Sequence, residues 1–126
     1  MVSCASMKMP LGFHITSDEV LTWNQIYADI AAALRVRLPP IVKVPTDFIC
    51  QVAPQLTGTL KGDKAHAGVF DNSKIKRFVP EFRCRTPFRL GVRESVRWLR
   101  EHPEQQNLKP ELDELIQKVV VTWQKQ

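Results

Sequence analysis

The sequence holds five glycines, and no two of them stand two or three positions apart. No Gly-x-Gly-x-x-Gly or Gly-x-x-Gly turn can therefore form. Such a turn lets backbone amides close on a pyrophosphate at a helix N-terminus, and without it the chain does not build a dinucleotide site alone. The three cysteines, Cys4, Cys50 and Cys84, are an odd number with wide spacing. With no Cys-x-x-Cys, neither a zinc knuckle nor a dithiol redox motif is supported, and Cys50 and Cys84 read as small, partly buried apolar side chains. His14, His66 and His102 are far apart, and none belongs to a His-x-x-x-His helix face, which excludes that route to a metal. No serine lies in a nucleophile-elbow pattern. No apolar run approaches ~18 residues, so no transmembrane helix is expected. Residues 1–10 lack the apolar run of ~7 to 15 residues of a signal peptide, which makes the cytoplasm the expected location. Internal repeats are absent as well.

What remains is a chain of 126 residues, the size of one domain, with nine prolines dividing it into short elements. Residues 1–10 read as a disordered lead and 11–126 as a single domain. Gly12 to Thr16 reads as a short strand, with Phe13 and Ile15 on one face. Two capping boxes compete for the next helix, Thr16 with Glu19 and Thr22 with Gln25. Thr22 is favoured, because Leu21 and Ile26 add a hydrophobic staple. From Trp23 an apolar stripe runs through Ile26, Tyr27, Ile30, Ala33 and Leu34. Pro39-Pro40 ends that unit. Ile41 to Val44 is β-branched and reads as a strand closed by Pro45. Thr46 or Asp47 is expected to cap a helix through Phe48, Ile49 and Val52, and Pro54 to Leu60 a further short helix or turn.

The centre of the chain is Gly62 to Pro80. Gly62-Asp63 reads as a turn, and His66 to Phe70 as a short strand. Asp71 then caps a helix by accepting from the backbone N–H of Ser73 or Lys74, and Pro80 stops it. Thr86-Pro87 supplies a hydroxyl cap and a first-turn proline for a helix whose stripe is Phe88, Val92, Val96 and Leu99. Lys109-Pro110 opens the last helix, with Leu112, Leu115, Ile116, Val119, Val120 and Trp123 in register. The expected fold class is α+β, mostly helical, with four or five helices and three short strands.

The Gly-Asp turn, strand and Asp71-Asn72-Ser73-Lys74 helix start, with residues 12–26 before them and 86–99 after, resemble the C-terminal part of extended short-chain dehydrogenase/reductases, the NAD-dependent epimerase/dehydratase family. The resemblance covers roughly residues 11 to 123. It implies the substrate-side region of a Rossmann-type enzyme that transfers hydride through NAD or NADP on a sugar nucleotide or related alcohol. The family's Tyr-x-x-x-Lys pair is missing, since the single tyrosine is Tyr27 and Ala31 stands four residues on. No catalytic residue, cofactor site or metal site is therefore assigned to this chain. In the family, the loop before the Asp-x-Ser-Lys helix contributes a basic side chain to the diphosphate. Lys61, Lys64 and His66 occupy that neighbourhood, where an arginine is usual and a lysine cannot supply the same bidentate fork. A plain surface loop is the competing reading of all three.

The implied partners are a second copy of the chain or a separately encoded cofactor domain, with an anionic small molecule as ligand. A second function class is a non-catalytic interaction module derived from the fold. A third, weak non-specific nucleic-acid binding, rests on the net charge of +5 and on Arg89, Arg93, Arg97 and Arg100 along one helix face. Glu94 and Glu101 can pair with Arg97, and no aromatics interleave, so a solvated face is favoured over nucleic acid. Trp23, Trp98 and Trp123 read as core. Lys74, Lys76 and Arg77 read as solvated helix charges.

Overall fold

The computed structural model describes residues 12–126, so the lead expected over residues 1–10 lies outside the described residues. Six α-helices follow in chain order: α1 Trp23–Leu34, α2 Thr46–Val52, α3 Thr57–Thr59, α4 Ser73–Phe78, α5 Phe88–Glu101 and α6 Pro110–Gln124. The fold is mostly helical, as expected. No helix among the described residues is long and apolar enough to cross a membrane.

Helix α1 begins where its local signals place it. Thr22 Oγ1 accepts from the Gln25 backbone N–H at 3.3 Å, and Gln25 Oε1 accepts from the Thr22 N–H at 2.8 Å, a complete capping box. The helix closes in a Schellman arrangement, with the Val36 N–H on the Ala31 carbonyl and the Arg35 N–H on the Ala32 carbonyl. Arg35 carries the left-handed conformation this requires, at φ 60°. Pro110 is the first residue of α6, where its missing N–H costs nothing. The main packing contact joins α1 to α5, with Ala31 and Val96 buried, and α6 meets α2 around Val119 and the Phe48–Trp123 ring pair.

The three expected strands are not formed; among the described residues there is no strand. Gly12 to Thr16 has no regular structure; Lys74 of α4 and Asn72 just before it donate to the Gly12 and Thr16 carbonyls, where a ladder would need a neighbouring strand. Ile41 to Val44 lies between Pro40 and Pro45, which cannot donate to one. His66 to Phe70 runs exposed along the surface, with no strand beside it among the described residues. β-Branched residues favour a pleated surface only where a second strand offers one. Gly62-Asp63 is not a free turn either, because Leu60–Lys64 forms a π-helical turn running on from α3.

Other expectations also fail. Neither Thr46 nor Asp47 caps α2, which begins at Thr46 itself without a side-chain cap. The Thr86 hydroxyl does not cap α5; the Phe88 N–H instead donates to Glu19 Oε2 at 2.7 Å, across 69 residues of sequence. Cys84 is exposed, while Cys50 is half-buried. Trp23 and Trp98 are 61% and 49% exposed and are not core. Small residues dominate the interior: Ala31, Ala53, Val96 and Val119 are its buried apolar members, and no large side chain among the described residues is fully buried.

Candidate functional site

Two separated stretches of sequence meet around one cleft of about 770 Å³. One wall is the extended segment from Thr16 into the first turn of α1, and the other runs from Asp63 to Asn72. The walls are held together at their base by Asn72. Its side chain is nearly buried, at 9% exposure, and its amide nitrogen donates to the Thr16 carbonyl at 3.0 Å and to Asp18 Oδ1 at 2.9 Å. Both partners are acceptors, which fixes the orientation of the amide.

Helix α4 secures the same segment from one turn further on. Lys76 pairs with Asp18, and Lys74 Nζ donates to the Gly12 carbonyl at 2.7 Å while lying 4.8 Å from the centre of the Phe13 ring. Phe13 meets Phe78 edge to face at 5.3 Å, and His14 meets Phe70 at 5.1 Å. Lys74 and Lys76 are thus fastenings of the 12–18 segment, not solvated charges. The Lys76 ammonium, followed by the Asn72 amide, holds the Asp18 carboxyl below its ordinary range.

Asp71 accepts from Ser73 as expected, but it stands one residue before the cap position, which is Asn72 and carries no side-chain cap bond. Asp71 Oδ1 accepts from the Ser73 N–H at 2.8 Å and Asp71 Oδ2 from the Ser73 hydroxyl at 2.9 Å. These two bonds, the backbone one first, hold the Asp71 carboxyl below the usual range. Asp71 is therefore engaged as an ionised acceptor, which suits structure better than proton transfer.

Of the three basic residues singled out from the sequence, Lys64 and His66 line this cleft and Lys61 does not. Lys61 Nζ reaches back to Asp47 of α2 at 2.6 Å, and each partner displaces the other's ionisation, Lys61 upward and Asp47 downward. Lys64 pairs with the adjacent Asp63. His66 follows the π-helical turn, a local distortion common at functional sites. Sequence alone assigns no site role to Asn72 or Asp18, and places Glu19 only in the disfavoured capping box with Thr16. Asp71, Asn72 and Ser73 are all residues that favour helix starts, and nothing local says which of them turns inward.

No glycine stands at the cap position of any described α-helix. The residues preceding α1 to α6 are Thr22, Pro45, Leu56, Asn72, Pro87 and Lys109, and none offers the glycine approach that a pyrophosphate needs. Nor do the described residues include a cluster of His, Cys, Asp or Glu that could hold a metal ion. Comparison with known proteins finds no match to this chain: no family model, no curated sequence and no solved structure.

Proposed function

We propose that the chain is the substrate-side region of an epimerase/dehydratase-type enzyme of Rossmann-type ancestry, with the cleft at Asn72 as the ligand-binding surface. The observation carrying this reading is that cleft: residues 16–26 and 63–72, which belong to the stretches resembling that family, form its two walls. Lys64 and His66 on its rim supply the basic contacts for an anionic ligand, a nucleoside diphosphate sugar or related alcohol. The NAD or NADP of the complete enzyme belongs to a partner carrying the glycine-rich turn and the Tyr-x-x-x-Lys pair. The chain by itself binds and orients and performs no redox step. A cytoplasmic setting agrees with this role.

The test is a titration of the isotope-labelled chain with UDP-glucose, followed by amide chemical shifts. The expected result is perturbation of Lys64, His66 and Asn72, reduced by Lys64→Ala with His66→Ala. No perturbation, or perturbation confined to residues outside 16–26 and 63–72, rejects the reading.

A specific observation favours the interaction-module reading beside it. A second groove of about 610 Å³ has Trp23, Tyr27, Val42 and Ile116 on its surface, all of them exposed apolar side chains. Exposed patches of this kind mark interfaces. A homodimer or a complex with a cofactor domain would cover them, and sedimentation equilibrium at micromolar concentration decides: a monodisperse, folded monomer removes the homodimer.

A further inference from the structure

A third cleft, of about 500 Å³, lies between the end of α1 and the middle of α5 and shares no lining residue with the one at Asn72. Arg35, Arg93, Arg97 and Arg100 line it, with Glu94 as the lone carboxylate and Val96 on its apolar side. Arg89, on the same helix, is not part of it. The ion pairs expected between Arg97 and Glu94 or Glu101 are not made. Among the described residues the ion pairs are those of Lys61, Lys64 and Lys76, so none of the four arginines lining this cleft is in one.

Structure alone accounts for only half of this charge. Arg100 donates to the Leu34 carbonyl at 2.9 Å, and Arg35 stands just beyond the last turn of α1, so both complement the negative end of its dipole. Among the described residues, Arg93 and Arg97 bond to no carbonyl and no carboxylate. Arg35 adds a second anomaly. Its φ of 60° is the position a Schellman cap normally gives to glycine, which has no Cβ to crowd the backbone. An arginine there trades backbone comfort for a fourth guanidinium at the cleft.

We propose that this arginine cleft is a binding site for a small polyphosphate anion, of the pyrophosphate or organic bisphosphate class. Four forked donors in a concave space suit several oxygens borne on adjacent phosphorus atoms, and guanidinium is the side chain that meets them two at a time. The lining includes no aromatic ring, so it offers no stacking surface for a single-stranded nucleic acid. The site is independent of the substrate cleft and would report on phosphate metabolites whether or not that reading holds.

The experiment is calorimetric titration of the full chain with inorganic pyrophosphate, orthophosphate and a DNA duplex at low salt. Pyrophosphate is expected to bind at one site per chain, at least about tenfold more tightly than orthophosphate. Arg97→Ala should weaken it about tenfold, the loss of one charge-assisted contact, and Arg93→Ala similarly. Glu94→Gln should tighten it, and Arg89→Ala should leave it unchanged. Alanine favours helix, so these exposed positions on α5 should keep their circular dichroism. Equal affinity for the two phosphates, or indifference to Arg93→Ala and Arg97→Ala, overturns the proposal. Duplex that binds more tightly than pyrophosphate, and displaces it, overturns it in favour of nucleic acid.

Discussion

Replacing Asn72 tests whether one amide joins the two walls of the candidate site. Asn72→Ala removes the donor from the Thr16 carbonyl. A neutral hydrogen bond contributes about 1 kcal/mol, and a half-buried acceptor left without a partner adds a similar amount, so a loss of about 1–2 kcal/mol is expected. The exposed Asp18 carboxylate loses a donor too, in the same direction. With a urea dependence of about 2 kcal/mol per molar, the unfolding midpoint should fall by roughly 0.5–1 M. The three tryptophans of the chain, Trp23, Trp98 and Trp123, provide the fluorescence signal. Asn72→Asp is the sharper perturbation. It keeps the shape and turns a double donor into an acceptor facing a carbonyl and a carboxylate. At neutral pH it should be less stable than Asn72→Ala. The deficit should narrow in acid, where a protonated carboxyl becomes a donor again. If Asn72→Asp is as stable as the wild type at neutral pH, the amide does not join the walls in the way described.

Thr22→Ala should cost about 1 kcal/mol in chemical denaturation by removing the hydroxyl cap of α1, while Thr16→Ala, whose backbone carbonyl alone is engaged, should cost little. For α5, helicity measured by circular dichroism should fall in the order wild type, Glu19→Gln, Glu19→Ala, since glutamine keeps an acceptor for the Phe88 N–H but loses the charge favoured at a helix N-terminus. The Asp18 carboxyl is held below its ordinary value of 3.8, so its contribution to stability is complete above that pH and is lost as pH falls through the depressed value. The stability gap between wild type and Asp18→Asn should accordingly be full at neutral pH and close below pH 3.8; a gap that widens in acid would contradict the Lys76 and Asn72 contacts.

What was legible in the sequence was local. The Thr22–Gln25 box and the Pro110 helix start need only neighbours a few residues away, and both stand where they were expected. Asp71 accepts from the Ser73 N–H as its local pattern suggests, while the cap position itself falls to Asn72. The cap of α5 is not legible locally, because the Thr86 hydroxyl oxygen is a plausible nearby acceptor, whereas Glu19 is brought there only by the fold. The absence of strands among the described residues is not legible, because side-chain pattern reports a preference for extended backbone and says nothing about whether a second strand is available. At the site, charge drew notice to Lys61, Lys64 and His66. The neutral amide of Asn72 gave no such signal, though it makes the bonds that shape the cleft. Arg35 was hidden because a left-handed residue is usually announced by glycine.

The bond between Glu19 and the Phe88 N–H also bears on the order in which the molecule can assemble. Helix α1 can nucleate from its own ends, but the first turn of α5 waits for a partner 69 residues upstream. Closing a loop of that length is entropically expensive and slow relative to helix growth. Asn72 and Lys74, at the start of α4, make their own long-range contacts with Gly12, Thr16 and Asp18, separated by 54 to 62 residues. The segment from Gly12 to Glu19 is therefore a late-closing clasp: it fastens α4, whose first turn Asp71 already holds locally, and supplies α5 with the acceptor its first N–H lacks nearby. A peptide covering α5 alone should fray at Phe88, and a chain begun after Glu19 should lose order at α4 and the head of α5 together while α6 retains its contact with α2.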